Sequence, residues 1–235
     1  MQHIIIASTS TIHGSSYLEY LLKDLEVFFK DIENILFIPY ARPSGISHND
    51  YTEKATTAFS KINKTVKGIH TFENPIEAIK NADGIFVGGG NTFVLTNQLY
   101  KNNLVDTLNT VVKNGTPYLG TSAGSNICGL TIKTTNDMPI VYPPSFNALS
   151  LVPFNINPHY LDPDNNSKHM GETRETRIKE FHNFNTQPVV GLREGSWLKV
   201  NGESIILKGT LSARIFEYNK PPYEIEPNTQ LNTLN

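Results

Sequence analysis

The sequence predicts one α/β domain, a mainly parallel β-sheet covered by helices on both faces. Three observations support this. Short, continuous apolar runs of strand length recur through the first half of the chain, amphipathic stretches of helical spacing lie between them, and glycine clusters follow two of the runs. Runs without polar alternation belong to strands buried on both faces, and their alternation with helices is the pattern of parallel strands joined by crossover helices. A chain of 235 residues is long enough to bury such a core.

The runs fall at 4–7, 35–39, 68–72, 84–87 and 117–120. Helices are expected at 17–29, where Leu18, Leu21, Leu22, Leu25, Phe28 and Phe29 share one broad face, and at 50–62, 76–82 and 92–112. After residue 130 the pattern changes. Pro139, Pro143, Pro144, Pro153, Pro158 and Pro163 mark a long, stiff, loop-rich segment. A helix at 172–184 and strand-like pieces at 189–192, 197–200, 204–207 and 214–218 follow. With no repeat and no linker, residues 1–220 read as one domain, and the polar, unpatterned 221–235 as a flexible tail.

Composition narrows the function. The formal net charge is −2 and no basic run exists, which excludes an electrostatic platform for nucleic acid or an anionic membrane. No apolar stretch approaches the length of a membrane span. Met1-Gln2-His3 lacks the basic start of a secretory signal, and the single cysteine, Cys128, has no partner for an internal disulfide. Cytoplasm is therefore the expectation, with Cys128 a buried, inert thiol. Seven histidines and one cysteine show no His-x-x-x-His or Cys-x-x-Cys spacing, so no metal is expected.

Gly120-Thr121-Ser122-Ala123-Gly124 matches G-x-S-x-G, directly after an apolar run and before a helix-like 125–130. Flanking glycines allow a tight strand-to-helix turn that projects the serine hydroxyl from the C-terminal edge of the sheet, where open α/β sheets place their sites. Ser122 is the candidate nucleophile; the competing reading is a structural turn with a capping serine. Gly88-Gly89-Gly90-Asn91-Thr92 follows another run and opens another helix. It is neither a dinucleotide fingerprint nor a P-loop. Gly89 or Gly90 could present one oxyanion donor and the Ala123 amide the other. Asn91 is a candidate for substrate binding and, together with Thr92, for capping the helix.

Of the histidines, His159 stands out, because Asn157-Pro158 stiffens its approach from the apolar run 151–156. Three carboxylates compete to orient it. Glu194 comes just past the strand-like 189–192, Asp137 lies in the turn-prone Asn136-Asp137-Met138-Pro139, and Asp162 follows His159 closely.

These residues together resemble peptidase E, the α-aspartyl dipeptidases of the class I glutamine amidotransferase-like fold, a flavodoxin-like arrangement. The segments 37–41, 88–93, 120–126, 134–141, 156–160, 171–178 and 191–197 are similar to that family's motifs and occur in order. The resemblance implies a cofactor-free serine peptidase that cleaves dipeptides with an N-terminal aspartate. It carries the nucleophile onto Ser122 and the base onto His159, and the family's carboxylate onto either Glu194 or Asp137, of which Glu194 is favoured. The chain departs from common family residues at Thr121 and Val94. An aspartate side chain needs a cation, and helical spacing lines up Arg174 and Arg177 with Ile178 and Phe181. The resemblance favours Arg174 as the carboxylate reader; the competing reading is a solvated helix face with pairs such as Glu175–Lys179. Two further functions stay open: an exopeptidase acting on aspartate-containing polymers, as cyanophycin-degrading relatives do, and a non-catalytic module binding acidic peptides. Oligomeric state is not legible.

Overall fold

A computed structural model describes residues 1–164, 171–231 and 234. Its main sheet has seven strands. Five are parallel neighbours in the order β3 (Thr65–Gly68), β2 (Asn34–Ile38), β4 (Gly84–Val87), β5 (Tyr118–Thr121) and β1 (His3–Ala7). An antiparallel hairpin of β8 (Trp197–Asn201) and β9 (Ser204–Lys208) extends the sheet beyond β1. A second sheet of four strands runs β11 (Tyr223–Ile225), β10 (Ala213–Phe216), β7 (Val189–Leu192), β6 (Asn155–Pro158), with β6 and β7 parallel.

The side-chain alternation of β1 and β2 shows why the runs are apolar throughout. Ile4, Ile6, Leu36 and Ile38 enter one core, whereas Ile5, Ala7, Ile35 and Phe37 enter the other. The second core is closed by α1 (Leu22–Phe28) and α2 (His48–Ser60) through Leu25, Tyr51, Ala55 and Phe59. The first is closed by α3 (Pro75–Lys80), α4 (Thr92–Lys101) and α5 (Val105–Lys113), and by Ile156, Val190, Leu192 and Ile215 of the second sheet.

Several elements differ from expectation for local reasons. The helix expected at 17–29 begins late, because Leu18 takes a left-handed φ of 60° and a 3₁₀ turn at Glu19–Leu21 precedes α1. The stretch 92–112 is two helices, since Asn103 at φ 55° ends α4 and the buried Leu104 leads into α5. In the run 68–72 only Gly68 is strand: β3 lies earlier, and Ile69–Thr71 makes a 3₁₀ turn. The helix expected at 172–184 is α7 (Arg174–Phe181), capped by the Thr173 hydroxyl, which accepts from Thr176 N–H. The 221–235 segment, expected to be a flexible tail, instead supplies β11, and Leu231 and Leu234 are buried in the core; residues 232, 233 and 235 lie outside the described residues, as does His169.

Candidate active site

The strand-turn-helix around Ser122 forms as the motif requires. β5 ends at Thr121, and α6 (Ala123–Asn126) begins at once. Ser122 itself adopts φ 53° and ψ −110°, a conformation that L-residues avoid and that surrounding structure must impose. It is imposed from below. Ser122 N–H donates to Ala7 O at 3.1 Å, the buried Ser125 hydroxyl reaches Ala7 O at 2.6 Å and Gly120 O at 2.8 Å, and Tyr118 Oη donates to Gly124 O at 2.7 Å. Because α6 is four residues long, it offers individual amides rather than an extended helix dipole.

The glycine loop lies against this elbow. A Cβ on Gly89 would come within 2.9 Å of Ser122 Cβ, so only glycine permits the approach. Gly88 N–H to Ile38 O (3.2 Å), Asn91 N–H to Ala41 O (2.7 Å) and Tyr51 Oη to Gly89 O (3.1 Å) fix the loop. The Asn91 side chain has a partner at each end: Oδ1 accepts from Val94 N–H at 3.1 Å, capping α4, and Nδ2 donates to Met138 O at 2.9 Å. The capping role expected of Asn91 is the one its contacts display.

His159 follows β6 directly and sits at φ 55°. Its Nε2 is hydrogen-bonded to Ser122 Oγ at 2.8 Å and its Nδ1 to Glu194 Oε1 at 2.8 Å. Glu194 rides on a tight turn closed by Ser196 N–H to Arg193 O at 3.1 Å, with Gly195 at φ 85°. The other two carboxylates are elsewhere. Asp137 Oδ2 accepts from Thr92 N–H at 2.7 Å and from the Thr135 hydroxyl at 3.1 Å, so it braces the start of α4 instead of the imidazole. Asp162 forms a two-pronged pair with Arg193, at 2.8 and 2.7 Å.

Arg193 also binds both oxygens of Glu224, at 2.8 and 3.0 Å, and the Ser212 carbonyl at 2.8 Å. Bonds to Asp162 and Glu224 hold its guanidinium firmly charged, raising its pKa. For Glu224, burial pushes the carboxyl up, but bonds from Arg193 and Ser212 outweigh it and leave the group below its ordinary value. Sequence reasoning missed this network and also missed Ser8, which is buried at the end of β1 with its hydroxyl against His159 N–H. A polar residue directly after a buried apolar run at the sheet's C-terminal edge was the available signal for Ser8.

Arg174 is half-buried and, among the described residues, forms no ion pair. Burial and the neighbouring Arg177 lower its pKa, with Asp137 opposing. Arg177 is exposed and lies 3.8 Å from Glu172, and the expected Glu175–Lys179 pair is present at 2.7 Å. No cluster of His, Cys, Asp and Glu suited to a metal occurs among the described residues, and no helix there is long and apolar enough to cross a membrane.

A serine on a strained elbow, bonded to an imidazole that is in turn bonded to a carboxylate, is an arrangement that serine hydrolases share. Residues 4–208 match the profile of Peptidase family S51, and the chain belongs to that family. It is 44% identical to "Peptidase E" of Streptomyces coelicolor, an alignment covering 99% of this chain and 94% of that protein. It is also 44% identical to the "Probable alpha-aspartyl dipeptidase" of Drosophila melanogaster, covering 99% and 97%. The crystal structure of a peptidase from an acI-B1 actinobacterium superposes with a TM-score of 0.73 at 15% identity, covering 98% of this chain and 96% of that one, which shows the shared fold.

Proposed function

We propose that this protein is a cytoplasmic serine dipeptidase that hydrolyses dipeptides bearing an N-terminal aspartate. The observation that carries the reading is His159 bonded at 2.8 Å on one side to Ser122 and on the other to Glu194. His159 Nε2 takes the hydroxyl proton as Ser122 Oγ attacks the carbonyl that follows the aspartate, and Glu194 stabilises the imidazolium. The tetrahedral oxyanion is held by backbone N–H groups of Gly89 or Gly90 and of Ala123. The imidazolium then protonates the leaving amine, and water hydrolyses the acyl-enzyme by the reverse relay. Arg174 reads the substrate's side-chain carboxylate. Its half-burial and its lack of an ion pair among the described residues support that role. The small net charge of −2 accords with a peptide substrate rather than nucleic acid.

Two measurements test this. Ser122→Ala is expected to lower kcat about 10⁴- to 10⁶-fold with the fold intact; retention of most activity removes the nucleophile assignment. In a panel of Asp-Leu, Glu-Leu and Asn-Leu, Asp-Leu is expected to be favoured over Asn-Leu about 10- to 150-fold in kcat/KM, the span of one charge-assisted pair. Equal cleavage of Asn-Leu removes Arg174 as the reader. Faster turnover of a β-linked Asp-Arg substrate would transfer the enzyme to polymer degradation.

A further inference from the structure

β1 contributes no reacting group, yet the chain at its end bonds to the backbone at Ser122, at His159 and at the turn that carries Glu194. At the end of β1, Ala7 O accepts from Ser122 N–H at 3.1 Å. One residue on, Ser8 N–H donates to Ser196 O at 3.0 Å, at the close of the turn carrying Glu194. The Ser8 hydroxyl then accepts from His159 N–H at 2.9 Å and donates to Leu192 O at 2.8 Å. Ser8 is 0% exposed. The bond it makes to His159 falls on a residue held at φ 55°, which a non-glycine residue keeps only when its surroundings enforce it. Leu192 O has a second donor, Tyr160 N–H at 2.9 Å, whereas the His159 N–H has the Ser8 hydroxyl as its partner.

We infer that Ser8 is a positioning residue of the active site: its hydroxyl pins His159 in the left-handed conformation that aims Nε2 at Ser122, and ties that histidine to the segment bearing Glu194. This rests on the serine-peptidase reading of the site. Removing the hydroxyl takes away the acceptor of the partly buried His159 N–H and frees the residue to relax toward negative φ, which swings the imidazole away from Ser122. The loss is geometric, so it falls on the reacting step rather than on substrate binding.

The test compares native enzyme, Ser8→Ala and Thr134→Val for the rate at which a fluorophosphonate labels Ser122, for kcat and KM on Asp-Leu, and for thermal stability. Thr134 is the matched control, since its buried hydroxyl donates to Ile156 O at 3.0 Å on the strand leading to His159 but does not touch that residue. Ser8→Ala is expected to slow labelling and lower kcat about 10- to 100-fold with KM nearly unchanged, the scale of a misplacement near 1 Å. Thr134→Val is expected to lose stability yet label at close to the native rate. Labelling of Ser8→Ala at the native rate, or equal slowing in both variants, overturns the inference. Should Ser8→Ala fail to fold, Ser8→Cys takes its place, because a thiol fills nearly the same space and bonds weakly; labelling slowed several-fold supports the inference and native-rate labelling overturns it. A native enzyme that is not labelled at all removes the peptidase reading, and this inference with it.

Discussion

Ser122 leaves the seven-stranded sheet from β5, a strand flanked on both sides by β4 and β1, whereas His159 leaves the four-stranded sheet from β6, which lies at that sheet's edge. Around the nucleophile, Thr121, Ala123, Gly124, Ser125 and Asn126 are all buried, and the restraints are backbone carbonyls and hydroxyls. Around His159 the buried Ser8 hydroxyl is joined by charges. Glu194 is 55% exposed, and the turn that carries it is braced through Arg193 by Asp162, 56% exposed, and Glu224, 33% exposed. One half of the site is therefore set by packing, which is sensitive to volume and indifferent to solution conditions. The other half depends in addition on ion pairs that respond to pH and salt.

The comparison can be broken at its most consequential point by exchanging the two carboxylates under test. Glu194→Gln is expected to lower kcat about 10²- to 10⁴-fold with stability little changed, since it takes the charge from the imidazole's partner. Asp137→Ala is expected to do the reverse, costing about 1.5–3 kcal/mol of stability through the lost bond at the start of α4, with the smaller effect on kcat. Kinetics and thermal unfolding of both variants check this, and an inverted result would move the triad's carboxylate to Asp137.

A second, smaller effect sharpens the packed half. Gly124 is pressed against the backbone of Val87, so a methyl added by Gly124→Ala has to displace main chain. A loss of about 1–3 kcal/mol is expected from calorimetry, and it should be the same at low and high salt.

The smallest effect belongs to the charged half. Glu224 titrates below its ordinary value of 4.5 in the folded protein, so its contribution to stability is present above that value and is lost as pH falls through the folded-state pKa. Native protein is therefore expected to lose more stability than Glu224→Gln as pH is lowered below about 4.5, in thermal unfolding followed across that range. Parallel curves would show that the network does not stabilise the fold.

How much of this could be read from the chain follows the same division. Ser122 was legible because its chemistry and its turn are encoded within five consecutive residues. The choice between Glu194 and Asp137 was not, because it depends on the register of two distant strands. Pro158 pairs with Leu192, so His159 and the turn from Arg193 leave the sheet side by side. Four of the five parallel strands announced themselves by apolar runs between helices; β3, Thr65–Gly68, did not, since it is short and largely exposed. The second sheet is built from strands of three or four residues, too short to show a period. One signal was present and unused: Gly202, at φ 60°, begins the two-residue loop between β8 and β9, a hairpin signature. The polar composition of 221–235 misled because an edge strand carries polar side chains as a matter of course, and Glu224 looks like any solubilising charge until its partners are seen.

Glu224 has a consequence for how the protein comes to be active. A chain stopped at residue 220 already contains Ser122, His159 and Glu194, yet it lacks one of the two anions that grip Arg193 beside the last of them. The reacting groups would all have been synthesised while the clamp behind them was still incomplete. The turn that bears Glu194 would then gain the last of its bracing late, with the docking of a short strand. Cutting or fusing the chain near that strand would loosen that turn from a distance.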